Sequence, residues 1–236
     1  MKNNIIHEDV LTKSPFLDVS PRNYDVVLKR EYVYRFFKRT LDIIGSIFGI
    51  ILLIPITLII YILTKIKKEK GSLFYTQQRI GKNGKIFKMY KFRSMIPNAD
   101  EALEKYLKEN EEARKEYKIN KKLKNDPRVT KVGDFIRKTS IDEFPQFINV
   151  LKGEMSLVGP RPYLPKEIED MGSAYKEIIK VKPGITGFWQ VSGRNDVTFN
   201  DRIKLDLEYC NKKNLKLDIK ILFDTVKKVV KREGAI

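Results

Sequence analysis

Asp142 and Glu143 stand side by side just ahead of an apolar helical pattern, Phe144, Phe147, Ile148 and Leu151, whose spacing predicts a helix with that face in a core. Adjacent carboxylates at a helix start have two readings. They can cap it: Ser140 and Glu143 have capping-box spacing, but that register puts Pro145 fifth in the helix. With Asp142 as the cap, Pro145 falls third, where its missing N–H is better tolerated. They can also belong to a site, because the positive end of a helix favours ionised carboxylates and equally a bound phosphate. Arginines suited to phosphate lie nearby in sequence. Arg161 is set between Pro160 and Pro162, so little backbone freedom remains to be lost when its planar guanidinium takes two phosphate oxygens. Arg137 and Arg194 are further candidates, and each has a plain alternative as a solvated surface residue. No Walker motif and no GxGxxG fingerprint occurs.

Composition narrows the chemistry. There is one histidine, His7, and one cysteine, Cys210. An internal disulfide and a multi-cysteine metal site are excluded, and a serine or cysteine nucleophile activated by histidine is disfavoured. Carboxylates, Lys, Arg, hydroxyls or a bound metal must carry any catalysis. A formal charge of +17 over 236 residues attracts polyanions, whether nucleic acid, anionic lipid or phosphorylated substrates.

The elements that must position these residues begin with a polar tail, 1–30, without the apolar run of a cleavable signal. Residues 31–66 hold a membrane segment. Leu41 to Leu63 is uncharged apart from Asp42, and as a helix it would reach about 34 Å, a bilayer core. A spanning helix is the plain reading. Pro55 in its middle and basic residues on both flanks, Arg35, Lys38 and Arg39 before and Lys65, Lys67 and Lys68 after, point instead to a re-entrant hairpin bent at Pro55. Asp42 would then pair with a neighbour such as Arg39, and Thr57 is a candidate partner for carbonyls freed at the bend.

The remainder, 67–236, reads as one catalytic domain. LFYTQQRIGKNGKIFKMYKF predicts a β-hairpin turning at Asn83-Gly84. Lys85, Lys88 and Lys91 on it are either a solvated basic edge or a phosphate-facing surface. Asp100 to Lys122 mixes acids and bases with few large apolar residues and predicts an exposed, salt-bridged helix without chemistry. Gly153 is a helix stop, and 181–196 is rich in glycine and reads as an ordered loop. Leu215 to Val230 is an amphipathic helix that packs on the domain or lies in a membrane interface.

Four blocks in order, KRTLDIIGS, KMYKFRSM, KNDPRVTKVGDFIRKTSIDEFPQFINVLKGEMSLVGPRP and KPGITGFWQVSGRND, resemble the bacterial sugar transferases, the monotopic polyprenyl-phosphate phosphoglycosyl transferases. The resemblance runs from about Arg35 to the C-terminus. It implies an α+β protein with a re-entrant N-terminal helix, a small β-hairpin and a mostly helical cytoplasmic catalytic domain with interfacial amphipathic helices, on the inner face of a bacterial membrane. It implies that Asp142 attacks the β-phosphorus of a UDP-sugar, that UMP leaves, and that undecaprenyl phosphate takes the sugar phosphate from the aspartate. Glu143 would assist as a base or metal partner. Mg²⁺ is the implied cofactor, with Asp142 as its protein ligand, and Lys91, Arg137, Arg161 and Arg194 would bind phosphates. The implied partners are the UDP-sugar, undecaprenyl phosphate and membrane lipid, with a homodimer compatible and no nucleic acid. The 97–124 insertion and the GFWQVSGR stretch resemble members that move galactose or glucose phosphate, in exopolysaccharide, capsule or O-antigen synthesis. Two features depart from the pattern: Ile54 stands where serine often precedes the helix proline, and the polar tail suggests a minimal form. The rival readings are a membrane-anchored basic protein that binds nucleic acid or anionic lipid, and a glycosyltransferase that leaves UDP.

Overall fold

The computed structural model describes residues 21–193 and 197–231. The chain divides between Arg39 and Thr40 into two compact units. In the first, the helical residues carry an ion pair of Arg35 Nε with Glu31 at 2.9 Å. The elements in chain order are α1 (Pro21–Ile66), β1 (Phe74–Ile80), β2 (Ile86–Phe92), α2 (Ala99–Glu109), α3 (Glu111–Asn120), α4 (Lys131–Lys138), α5 (Gln146–Lys152), β3 (Ser156–Val158), α6 (Ile168–Met171), α7 (Ala174–Ile178), β4 (Gly184–Thr186), α8 (Phe188–Ser192), α9 (Phe199–Lys212) and α10 (Leu215–Lys231). The mixture of helices with two small sheets is the expected α+β class.

Pro55 lies inside α1 and does not end it. The Thr57 hydroxyl donates to the Leu53 carbonyl at 2.7 Å, one turn back, rather than to Ile51, whose partner the proline removes. Within the second unit, one narrow stripe of α1 is covered by the domain. Asp42, Ser46, Leu53 and Ile60 are buried, at spacings of four, seven and seven that keep them on one side of the helix. Leu53 and Ile60 join Phe92, Val132 and Ile136 in one core. Asp42 accepts from Ser156 Oγ at 2.9 Å and the Leu157 N–H at 2.8 Å. The other faces expose Ile44, Phe48, Ile51, Ile54, Leu58 and Ile62. Arg30–Ile66 is long and apolar enough to cross a membrane.

The predicted hairpin is present. β1 and β2 pair antiparallel from Phe74 with Phe92 to Ile80 with Ile86, and Asn83 and Gly84 turn with positive φ of 58° and 77°. The second pair, β3 with β4, is parallel, and here the sequence reading needs correction. Over 181–193 the stretch is not a plain loop, because its glycines allow regular structure by close approach; 194–196 lie outside the described residues. A Cβ on Gly184 would lie 2.1 Å from the Gly159 nitrogen, so only glycine lets β4 pair with β3. The helix α8 follows.

Two further expectations change. Residues 100–122 form two helices, because Asn110 ends α2 and its side chain caps α3 by accepting from the Ala113 N–H. Leu103 of α2 and Ala113 of α3 form a small core with Leu123, which follows α3. Phe144, Phe147 and Ile148 pack partly buried against the cores as expected, and only Leu151 of that face is exposed; the fully buried residues of α5 are Gln146, Asn149 and Val150. The buried side is polar because it docks on a strand edge: Asn149 accepts from the Tyr90 N–H at 3.0 Å and donates to the Lys88 carbonyl at 2.8 Å. Gly153 stops the helix with φ 80°, as expected. α10 buries Asp218 and Ile221 and exposes Ile219, Phe223, Val226 and Val230.

Candidate active site

The Asn149 contacts hold α5 against β2, and α4 is held against the end of the same strand. A Cβ on Gly133 would lie 1.9 Å from the Ser94 carbonyl oxygen, so α4 approaches as closely as glycine allows. Glu69 fastens the start of α4, accepting from Thr130 Oγ1 and the Val132 N–H, each at 3.0 Å. The link between α4 and α5 is therefore fixed beside Lys91. In that link Ser140 takes a left-handed conformation and Ile141–Glu143 form one 3-10 turn, without a side-chain cap from Ser140. α5 has no side-chain cap either. The capping readings of the pair are thus not realised: α5 starts at Gln146, too late for Asp142 or Ser140 to serve its first N–H groups.

Both carboxylates turn to Lys91, whose ammonium lies 2.9 Å from Glu143 and 3.9 Å from Asp142. Lys91 thus meets carboxylates rather than standing on a free basic edge. Asp142 lines a cavity of about 750 Å³, together with Lys91, Arg137 and Arg161, a volume in the range of small-molecule sites. Three of the four sequence-predicted cations therefore converge with Asp142. Arg194 lies outside the described residues.

Burial pushes the Asp142 carboxyl up to about 6, against the pull of Lys91. The charges of Glu143 and Arg137 act in opposite directions on it. Arg137 is pressed below its ordinary value by burial, which Asp142 opposes, and its Nε donates to Ser94 Oγ at 2.9 Å. Arg161 is held at its backbone, where its N–H donates to Asp206 Oδ2 at 3.0 Å. Tyr163 donates its hydroxyl to the same oxygen at 2.8 Å. Burial raises the Asp206 carboxyl to about 7.

Sequence reasoning missed Arg79 and Asp206. Arg79 is 9% exposed, and its guanidinium donates to the Pro162 carbonyl at 2.8 Å. Burial, then the charge of Arg161, lowers it to about 10. Period-two alternation was the available signal, since Tyr75, Gln77 and Arg79 follow one another on one side of β1 and all line the cavity. Asp206 carries no local signal, because its partners are far away in sequence.

The chain belongs to the bacterial sugar transferase family, whose model matches residues 33–232. It is 50% identical over 201 residues to the undecaprenyl-phosphate galactose phosphotransferase of Salmonella typhimurium, covering 85% of this chain and 42% of the relative. It is 42% identical to the exopolysaccharide production protein ExoY of Sinorhizobium fredii, over 84% of this chain and 87% of the relative. The UDP-glucose:undecaprenyl-phosphate glucose-1-phosphate transferase of Escherichia coli is 39% identical over 82% of this chain and 40% of its own length. The chain spans about two fifths of the length of several of the curated relatives it matches.

Proposed function

We infer that this protein transfers a hexose 1-phosphate, of galactose or glucose, from a UDP-sugar to undecaprenyl phosphate with release of UMP, in surface-polysaccharide synthesis. The observation that carries the reading is a partly buried aspartate, Asp142, lining a substrate-sized cavity with Lys91, Arg137 and Arg161. The relatives' names supply the donor and acceptor classes.

Ionised Asp142 attacks the β-phosphorus through a carboxylate oxygen. The bond from that phosphorus to the oxygen bridging to the α-phosphate breaks, and the electron pair leaves with UMP. A phosphate oxygen of the lipid then attacks the same phosphorus and expels Asp142, giving a lipid diphosphate sugar. Covalent catalysis by a carboxylate needs no histidine. Lys91 favours the ionised Asp142 against burial, and Arg137 and Arg161 bind the phosphoryl oxygens. Among the described residues no group of three or more metal-ligating side chains forms. Asp142, which lines the cavity, would hold Mg²⁺, an ion commonly held by one or two carboxylates with phosphates and water completing its shell. Bound there it would offset the diphosphate charge.

α1 supports a monotopic membrane seat. Its covered stripe lies on both sides of Pro55, from Asp42 to Ile60. A helix crossing the bilayer would carry the domain surface around Phe92 and Val132 to lipid depth with it. A monotopic seat, with both ends of the segment on the cytoplasmic face, avoids this and matches the basic flanks. The exposed apolar residues of α10 would rest on the same surface.

The test is UMP release from a panel of UDP-sugars with undecaprenyl phosphate. UMP formation with UDP-galactose or UDP-glucose is expected, and UDP as the nucleotide product would overturn the reaction class.

A further inference from the structure

Helices α2 and α3 have no part in the chemistry above, yet they wall its cavity. Asp100 and Glu101 of α2 and Tyr117 of α3 line the cavity that holds Asp142. The pair is fixed rather than loosely appended. The Arg128 guanidinium, bound to Asp126 at 2.6 Å, also donates to the Ala99 carbonyl at 3.4 Å. Arg202 donates to the Asn120 carbonyl at 3.2 Å, and Lys121 pairs with Asp170 at 2.9 Å.

The cavity's charges divide into matched and unmatched groups. Arg128, Lys121 and Arg161 each have a carboxylate partner within ion-pair distance. Among the described residues Asp100 and Glu101 have no cation within that distance. Arg79 lines the same cavity. It is 9% exposed, its guanidinium donates to the Pro162 carbonyl and to Gln77 Oε1, and among the described residues its Nε has no hydrogen-bond partner. A ligand of this cavity therefore meets the buried Arg79 and, on the α2 wall, the exposed carboxylates of Asp100 and Glu101. A nucleoside diphosphate sugar has both parts: a charged diphosphate, and an uncharged ring whose hydroxyls donate to carboxylate oxygens.

We propose that Asp100 and Glu101 are specificity-determining residues, forming the wall against which the neutral, hydroxyl-bearing hexose of the donor lies and excluding donors whose sugar is itself anionic. The inference rests on the UDP-sugar reading and adds a criterion to it. A uronate in the same place would bring a carboxylate against two others, a repulsive arrangement that rejects the wrong ligand without costing affinity for the right one.

The experiment measures binding of UDP, UDP-glucose and UDP-glucuronate by calorimetry to the full chain in detergent. All proteins carry Asp142→Asn, so that no chemistry intervenes. The expected result is that UDP-glucuronate binds about tenfold or more weakly than UDP-glucose, as like-charge contacts require. In D100N/E101Q the gap closes to within about threefold, in E101K alone it closes or inverts, and UDP affinity stays constant throughout. A gap that persists in both variants overturns the proposal, as does equal binding of the two sugars before substitution. A change in UDP affinity as large as that for UDP-glucuronate places the acids at the nucleotide and also overturns it. Failure of UDP and UDP-glucose to bind at all refutes the donor reading itself, an outcome distinct from the others.

Discussion

Asp142→Asn should abolish turnover and at the same time stabilise the fold. The carboxyl is raised from 3.8 to about 6, with burial the leading cause, and its side chain is only 13% exposed. A raised carboxylate pKa means that the folded chain binds more protons than the unfolded chain between those two values. Stability from this group is therefore greatest below about pH 4, falls as pH rises through 6, and is level above. A gap of about two units at ~1.4 kcal/mol each gives a cost of roughly 3 kcal/mol at pH 8. Asparagine does not ionise, so the variant escapes that cost. Lys91 is not orphaned, because Glu143 remains 2.9 Å away. For a chain of this size each kcal/mol moves Tm by about 2–4 °C, so the variant should melt several degrees higher than the parent at pH 8, with only about a third of that gap left at pH 4.5. Thermal unfolding in detergent across that range, followed by fluorescence or circular dichroism, reads the difference. A variant no more stable at pH 8, or a gap that does not shrink on acidification, would refute the claim that the site holds a destabilised carboxylate.

Glu143→Gln should lower UMP release by about a hundredfold or more, because Lys91 loses its nearer carboxylate and the turn loses a catalytic charge; near-normal rates would remove Glu143 from the chemistry. Asp206→Ala should cost about 2–5 kcal/mol in chemical denaturation, since it strands the Arg161 N–H and the Tyr163 hydroxyl, whereas Asp206→Asn keeps an acceptor and should cost far less. For the membrane seat, single cysteines at Asn23 and Ser72, with Cys210 replaced, should both resist an impermeant maleimide until cells are lysed. Labelling of position 23 in intact cells with position 72 protected means a spanning helix.

What the sequence revealed were features written locally. Asn83-Gly84 specifies its own turn, Gly153 its own helix stop, and the lipid-length apolar run its own helix. Asp142, Lys91, Arg137 and Arg161 were recognisable through type and motif, and the fold brings them together. What stayed hidden depends on distant partners. Asn149 gives no local sign of its role, which appears only when β2 supplies the Tyr90 N–H and the Lys88 carbonyl. Asp42 reads as a headgroup-level charge until Ser156 and Leu157 bury it. The stripe on α1 was masked because nearly every residue there is apolar, so hydropathy could not separate the protein-facing side from the rest. Asn110 was overlooked because a cap in the middle of a charged run is outweighed by the run.

The most direct test of the account is mass spectrometry of the protein incubated with UDP-sugar and Mg²⁺ in the absence of lipid acceptor. The account predicts a hexose-phosphate adduct on the peptide containing Asp142, formed with one equivalent of UMP, absent from Asp142→Asn and discharged by undecaprenyl phosphate. UMP release only when the lipid is present, with no adduct trapped on Asp142, would contradict it.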